Sequence, residues 1–133
     1  MIEFHLDSHS GVAPYLQLVQ QVKQALRLGM LEVGDQLPTV REVVAQITIN
    51  PNTVLKAYRE LEREGLIESR PGQGTFVQRT LASTSLSSHA ALRRSLVRWL
   101  HSAYEAGLDN ESVLALFLST FQDTQKEHEE ETA

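Results

Sequence analysis

The sequence predicts a mainly α-helical chain with a small β-wing, an α+β fold class, and three observations carry that expectation. Between Thr39 and Arg63 two short segments of helical periodicity flank a tight break at Thr48 to Asn50. Directly behind them, Arg70-Pro71-Gly72-Gln73-Gly74 must turn between two stretches that can extend, Leu66 to Ser69 and Thr75 to Gln78. Helix, turn, helix and β-hairpin in that order describe a winged helix-turn-helix. Beyond residue 88, two further stretches of helical periodicity predict a C-terminal helical hairpin.

At the N-terminus, Ile2, Phe4 and Leu6 alternate with Glu3, His5 and Asp7, which predicts a short, half-buried strand. His5, Asp7 and His9 would share its outer face. Imidazole and carboxylate suit a metal, but the sequence gives no sign of the outer partners that orient such ligands, and a solvated strand end is the simpler reading. No metal or cofactor is therefore expected. From Pro14 the period becomes helical: Leu18, Val19, Val22, Ala25 and Leu26 form one apolar stripe, and Gly29 ends it. Thr39-Val40-Arg41-Glu42 fits a capping box, Thr39 accepting from the first turn and Glu42 reaching back, and opens a helix that carries Val43, Val44 and Ile47.

Asn50 to Arg63, NPNTVLKAYRELER, is the stretch on which function turns. Asn50 can cap it, and Pro51 at the first helical position gives up only an N–H that has no helical partner. Val54, Ala57, Tyr58 and Leu61 form its apolar stripe, while Asn52, Lys56, Arg59 and Arg63 step around the opposite side. Asn and Thr bond phosphates and base edges by hydrogen bonds, Lys and Arg by charge as well. Taken alone, a helix of this pattern is more often an ordinary surface helix with solvated charges. The capped helix before it and the hairpin after it select the reading of a recognition helix, with Arg59 neutralising phosphate and Gly65 capping the end.

The run from Gly34 to Val77 resembles the DNA-binding domain of GntR-family bacterial transcription regulators. The resemblance rests on a set of motifs: Leu37-Pro38-Thr39-x-Arg41-Glu42, Asn50-x-Asn52-Thr53-Val54, Leu61-Glu62-x-Glu64-Gly65-Leu66-Ile67, and Gly72-x-Gly74-Thr75-Phe76-Val77. It implies DNA contacts from Arg41, from Asn52 and Thr53, from Lys56, and from the wing tip that runs from Arg70 through Gln73 to Gly74. Two positions depart from the family's pattern. Pro51 stands where many relatives have an arginine, so a contact there is lost or passes to Asn52, and Thr48 stands where many have glycine in the turn. Ser10 to Gln17 and Asn50 to Val54 are similar to the YtrA-type branch, in which the C-terminal appendage is short. The family's C-terminal domain senses a metabolite. An appendage of about fifty residues implies an effector pocket that is small, lies between subunits or is missing. The partners implied are a double-stranded DNA operator, a second copy of the chain and a small-molecule effector of unknown identity, which would release DNA by altering the spacing of two reading heads.

The expected division is a DNA-binding domain over residues 1–79, a Ser/Thr-rich linker over 80–88, a two-helix dimerisation region over 89–125 and an acidic tail over 126–133. Leu92, Leu96, Trp99, Leu100, Ala103 and Tyr104 keep helical spacing between about His89 and Ala106. Asp109 is a good N-cap for the next helix, which carries Val113, Leu114, Leu116, Phe117, Leu118 and Phe121. This is more apolar surface than one short hairpin can hide. Leu92, Leu96, Trp99, Leu100, Phe117 and Phe121 are therefore expected to pack against a second copy, so that a homodimer offers two recognition helices to half-sites one turn of DNA apart. Trp99 and Tyr104 would suit an effector pocket, but within an apolar stripe a core or dimer contact is the simpler role. Lys126 to Ala133, with four glutamates, is expected to be a solvated end without fixed structure.

At 133 residues and 41% hydrophobic content, the chain suffices for one medium domain or a small one with an appendage. Without cysteine it has neither a disulfide framework nor a thiolate metal site. No stretch approaches the roughly 20 apolar residues of a membrane helix, no secretory signal is evident, and the cytoplasm is the expected compartment. A net charge of −5 sits awkwardly with DNA binding, but its distribution matters. Residues 1–80 hold eight Lys and Arg against nine Asp and Glu, and residues 81–133 hold four against eight, so most of the acidity lies outside the reading head. Binding should then rest on a local positive face of Arg41, Lys56, Arg59 and Arg70, with weak non-specific affinity and a marked loss as salt rises. Catalysis is not expected: no glycine-framed nucleophile turn or phosphate loop is present, and Gly72-x-Gly74 is a hairpin tip. The function expected is a sequence-specific transcription regulator, a repressor on a palindromic operator. The alternative is a winged helix used for protein interaction without DNA binding.

Overall fold

The computed structural model describes residues 1–82 and 86–132, with the backbone alone at 86–88. Its elements are α1 (Pro14–Arg27), α2 (Val40–Ile47), α3 (Pro51–Arg63), β1 (Ile67–Arg70), β2 (Gly74–Val77), α4 (Leu86–Glu105) and α5 (Asn110–Thr132). The mainly α chain with a β-wing is thus the fold that forms. It divides into two compact units, Met1–His89 and Ala90–Ala133.

In the first unit the apolar stripes meet as their spacing dictates. Leu18, Val22 and Leu26 of α1 are buried with Val54, Ala57 and Leu61 of α3, joined by Val43 of α2 and by Leu66, Ile67 and Val77 at the base of the wing. Each Val, Leu or Ile among them contributes about 1.5–3 kcal/mol by leaving water. Because α1, α2 and β1 all pack on α3, its inward half is fully engaged and only the opposite face is left over. Lys23 of α1 and Glu64 behind α3 add an ion pair at 2.8 Å.

The strands pair antiparallel, with Ile67 opposite Val77, Glu68 opposite Phe76, Ser69 opposite Thr75 and Arg70 opposite Gly74. A third short segment, unforeseen in the sequence, lines the other edge of β2. Leu37 N–H donates to Thr75 O at 2.8 Å and Val77 N–H to Asp35 O at 2.8 Å, with Gln36 bridging to Phe76.

The strand expected at Ile2 to Leu6 does not form. The alternation is real as burial: Phe4 is buried, Ile2 and Leu6 are half-buried, and Glu3, His5 and Asp7 are exposed. The backbone partners come from a helix instead of a sheet. Gln21 Nε2 donates to His5 O at 2.7 Å and its Oε1 accepts from His5 N at 3.1 Å. Gln17 does the same for Asp7, at 3.0 and 2.9 Å. Four helical residues rise about 6 Å and two extended residues about 6.6 Å, so the two ladders match.

In the second unit only Ala103 and Val113 are buried among the described residues. Asp109 caps α5 by accepting from Ser112 N at 2.8 Å, and the Tyr104 hydroxyl donates to Asn110 Oδ1 at 2.7 Å. The Trp99 and Phe117 rings lie 6.4 Å apart. Residues 83–85 of the expected linker lie outside the described residues, and α4 begins at Leu86, three residues before His89. The end expected to lack structure is helical as far as Thr132. Its Glu and Lys residues are good helix formers with no Gly or Pro among them, so the acidic run keeps its side chains in water without leaving the helix.

Candidate nucleic-acid interface

The helix pair is fixed at both of its starts. Thr39 Oγ1 accepts from Glu42 N at 3.1 Å and Glu42 Oε1 accepts from Thr39 N at 3.2 Å, the reciprocal cap that its sequence predicts. This sets Arg41 in the first turn of α2, where it is exposed. At α3, Asn50 Oδ1 accepts from Asn52 N at 2.8 Å, and Pro51 occupies the first helical position. Asn50 O accepts from Thr53 N at 2.9 Å, so the backbone donors of the first turn are partly spoken for. Side chains must therefore carry any readout there. Between the helices Thr48 has φ 48°, a left-handed conformation that costs a β-branched residue about 1–2 kcal/mol. That is why glycine is the common solution at such a turn.

Tyr58 ties the segment that leads into α2 to α3. Its hydroxyl donates to Pro38 O at 2.6 Å in a buried setting, which ties the Leu37-Pro38 segment to α3. Burial pushes the phenol well above its ordinary range, and the nearby Glu42 charge pushes it the same way.

On the outward face of α3, Asn52, Lys56 and Arg59 are exposed and Thr53 is half-buried. The cations there differ in state. Arg63 is bonded to Glu60; that hydrogen bond and the paired charges hold the Glu60 carboxyl below its usual value and raise the guanidinium. Arg59 and Arg41 have no ion pair with any described residue. Lys56 Nζ lies 4.0 Å from the centroid of the Tyr15 ring. The sequence marked Tyr15 only as part of the lead-in to α1; what it touches depends on how α1 crosses α3, which no local pattern encodes.

In the wing, Gln73 N–H donates to Arg70 O at 2.9 Å, with Pro71 and Gly72 between them and Gly72 at φ 76°, the geometry of a type II turn. Gly74 has φ 130°, and a Cβ there would sit 2.6 Å from Gln36 Nε2. Gln73 is exposed, and its carbonyl accepts from Gln36 Nε2 at 3.4 Å. Arg70 is already engaged: Glu68 Oε1 lies 2.7 Å from its Nε, and its guanidinium lies 4.4 Å from the Phe76 ring centroid. Glu68 is thus a residue that sequence reasoning missed. Alternation along β1 places it on the face of Arg70, but the charge cancellation is visible only in the folded hairpin.

All eight candidate DNA residues fall in the first unit, and the six candidate dimer residues fall in the second. There Leu92, Leu96, Phe117 and Phe121 are exposed, and Trp99 and Leu100 are half-buried. Among the described residues no cluster of three or more His, Cys, Asp or Glu could hold a metal, and Asp7 Oδ1 accepts from His9 N at 2.9 Å.

The family described as "Bacterial regulatory proteins, gntR family" matches residues 14–77. The HTH-type transcriptional repressor YtrA of Bacillus subtilis (strain 168) is 38% identical over 109 residues, covering 81% of this chain and 84% of that protein. A crystal structure described as a transcriptional antiterminator from Listeria monocytogenes EGD-e covers 92% of both chains with a TM-score of 0.58 and 32% identity. YtrA from Sulfolobus acidocaldarius, a GntR-family transcription factor, aligns over 71% of this chain and 94% of its own with a TM-score of 0.51 and 30% identity. With its capped helix pair, its hairpin wing and its short helical appendage, the chain belongs to the gntR family of bacterial regulatory proteins, on the YtrA-type branch.

Proposed function

We propose that this DNA-binding transcription regulator acts as a homodimeric repressor of a palindromic operator. The observation that carries the reading is the pairing of two unused faces: a cationic, polar face on α3 and an apolar face on α4 and α5. Leu92 is 69% exposed and Phe121 54% exposed, an arrangement that a lone chain in water does not favour. Burying that face against its own copy creates a two-fold axis, and two copies of α3 then meet two half-sites. Arg41, Asn52, Thr53 and Lys56 would enter or edge the major groove, Arg59 would neutralise phosphate, and Arg70 through Gln73 to Gly74 would set the wing on the backbone or in the minor groove. The repressor name borne by the Bacillus subtilis relative supports the sign of regulation. Repression would follow from occupancy of the DNA in the cytoplasm and needs no catalytic step.

The test is sedimentation of the chain with a fluorescent duplex from its own upstream region at two salt concentrations. A dimer that binds one duplex, weakens with salt and ignores a scrambled duplex is the expected outcome. Lys56→Glu or Arg41→Ala should abolish binding and leave the dimer intact. Operator binding that survives both substitutions would overturn the assignment of the reading face.

A further inference from the structure

Of the three cations on the outward face of α3, Lys56 is in a state of its own. Arg63 is held by Glu60, which cancels its charge. Arg59 has no ion pair with a described residue and keeps its charge, without a described partner to hold it in place. Lys56 is held over the Tyr15 ring at 4.0 Å from the centroid, so its position is fixed and its charge kept. The distinction is physical. A carboxylate that oriented the ammonium would also cancel its charge and be repelled by the phosphates that flank the groove it is meant to enter. A ring face attracts the cation through its quadrupole, has no net charge, and leaves ammonium N–H groups free to donate away from the ring. Tyr15 can do this because it is itself anchored. It lies in the first turn of α1, half-buried and packed against the core, where α1 crosses α3.

We propose that Tyr15 is a positioning residue of the DNA-reading face: its ring fixes the Lys56 ammonium before DNA arrives, so that α1 decides where in the groove the lysine points. The inference rests on the reading of α3 as the recognition helix. Free lysine side chains spread over many rotamers, and ordering one on binding costs entropy. A ring that orders it beforehand removes part of that cost. The effect expected at an exposed site is about two- to fivefold in affinity, concentrated in sequence preference and absent from the salt slope, because the number of phosphates met is unchanged.

The experiment uses the full chain and the duplex that the wild-type chain enriches from a random library of roughly 30 base pairs, long enough for two half-sites. Tyr15→Leu keeps the apolar contact with the core and removes the ring; Tyr15→Phe keeps the ring and removes the hydroxyl. Tyr15→Leu should weaken binding about two- to fivefold and blur the enriched sequence at one position per half-site, with sedimentation and thermal unfolding unchanged. Tyr15→Phe should stay within about twofold of wild type. In a Lys56→Met background, Tyr15→Leu should have no further effect. If it costs as much there as in the wild-type background, the ring does not act through Lys56 and the inference falls. If Tyr15→Phe is as damaging as Tyr15→Leu, the hydroxyl is the working group and the inference falls as well. If Lys56→Met leaves binding unchanged, it is the assignment of α3 that fails, and the inference falls with it.

Discussion

Arg70 shows how much a single neighbour decides. In the sequence it is one of four cations expected to form a local positive face, and in the wing its guanidinium is shared between Glu68 and the Phe76 ring. A partly exposed pair of this kind is worth little to stability, so Glu68→Gln should barely change folding. It should change DNA binding, because Arg70 would meet phosphate with its full charge. Non-specific affinity is expected to rise severalfold, and the slope of log affinity against log salt to steepen by about one, read from titrations at several salt concentrations. An unchanged slope would remove Arg70 from the phosphate contacts. Glu68 stays hidden in the sequence because its effect needs the hairpin register, whereas Thr48 was legible as a departure from glycine and the structure supplies the reason in its positive φ.

Among the elements, α2 packs on α3, and the Tyr58 hydroxyl fastens the segment that leads into α2 to α3. Tyr58→Phe leaves Pro38 O buried without its donor, and the loss expected is about 2 kcal/mol, measured as a lower urea midpoint at constant slope. The same residue imposes a pH dependence. The unfolded phenol ionises near about 10, while the folded one keeps its proton to higher pH. The contribution of Tyr58 is therefore complete below that pH and declines as pH rises beyond it, and the phenylalanine variant should lose that part of the decline. The helix starts were legible because caps are local: Thr39 with Glu42 and Asn50 with Pro51 need only sequence spacing. The strand at Ile2 to Leu6 was misjudged because alternation reports which side chains are buried and says nothing of what pairs the backbone. The Asp35–Leu37 edge was too short and too polar to register at all. At the C-terminus, acidity alone suggests a loose end, but glutamate favours a helix as readily as it favours water.

For the whole molecule, the second unit carries an apolar surface of its own, with Leu92, Leu96, Phe117 and Phe121 exposed. Phe117→Glu combined with Phe121→Glu places charge on that surface without touching Ala103 or Val113. The variant should remain helical by circular dichroism, sediment as a monomer and lose operator affinity by about a hundredfold or more, since one head then binds without the other. A dimer that persists would move the interface elsewhere on the chain.

The hold of Gln17 and Gln21 on the N-terminal segment has a consequence for what this chain can tolerate. A glutamine amide and a peptide group present the same donor and acceptor, so the two side chains grip the main chain of His5 and Asp7 and are indifferent to what those residues are. His5 can therefore be exchanged for any residue but proline, which lacks the N–H that Gln21 holds. Inserting a single residue between the two glutamines is another matter, because it swings one of them about 100° around α1. The segment is keyed to the helix by count and not by composition, and its length and the phase of α1 are bound to change together or not at all.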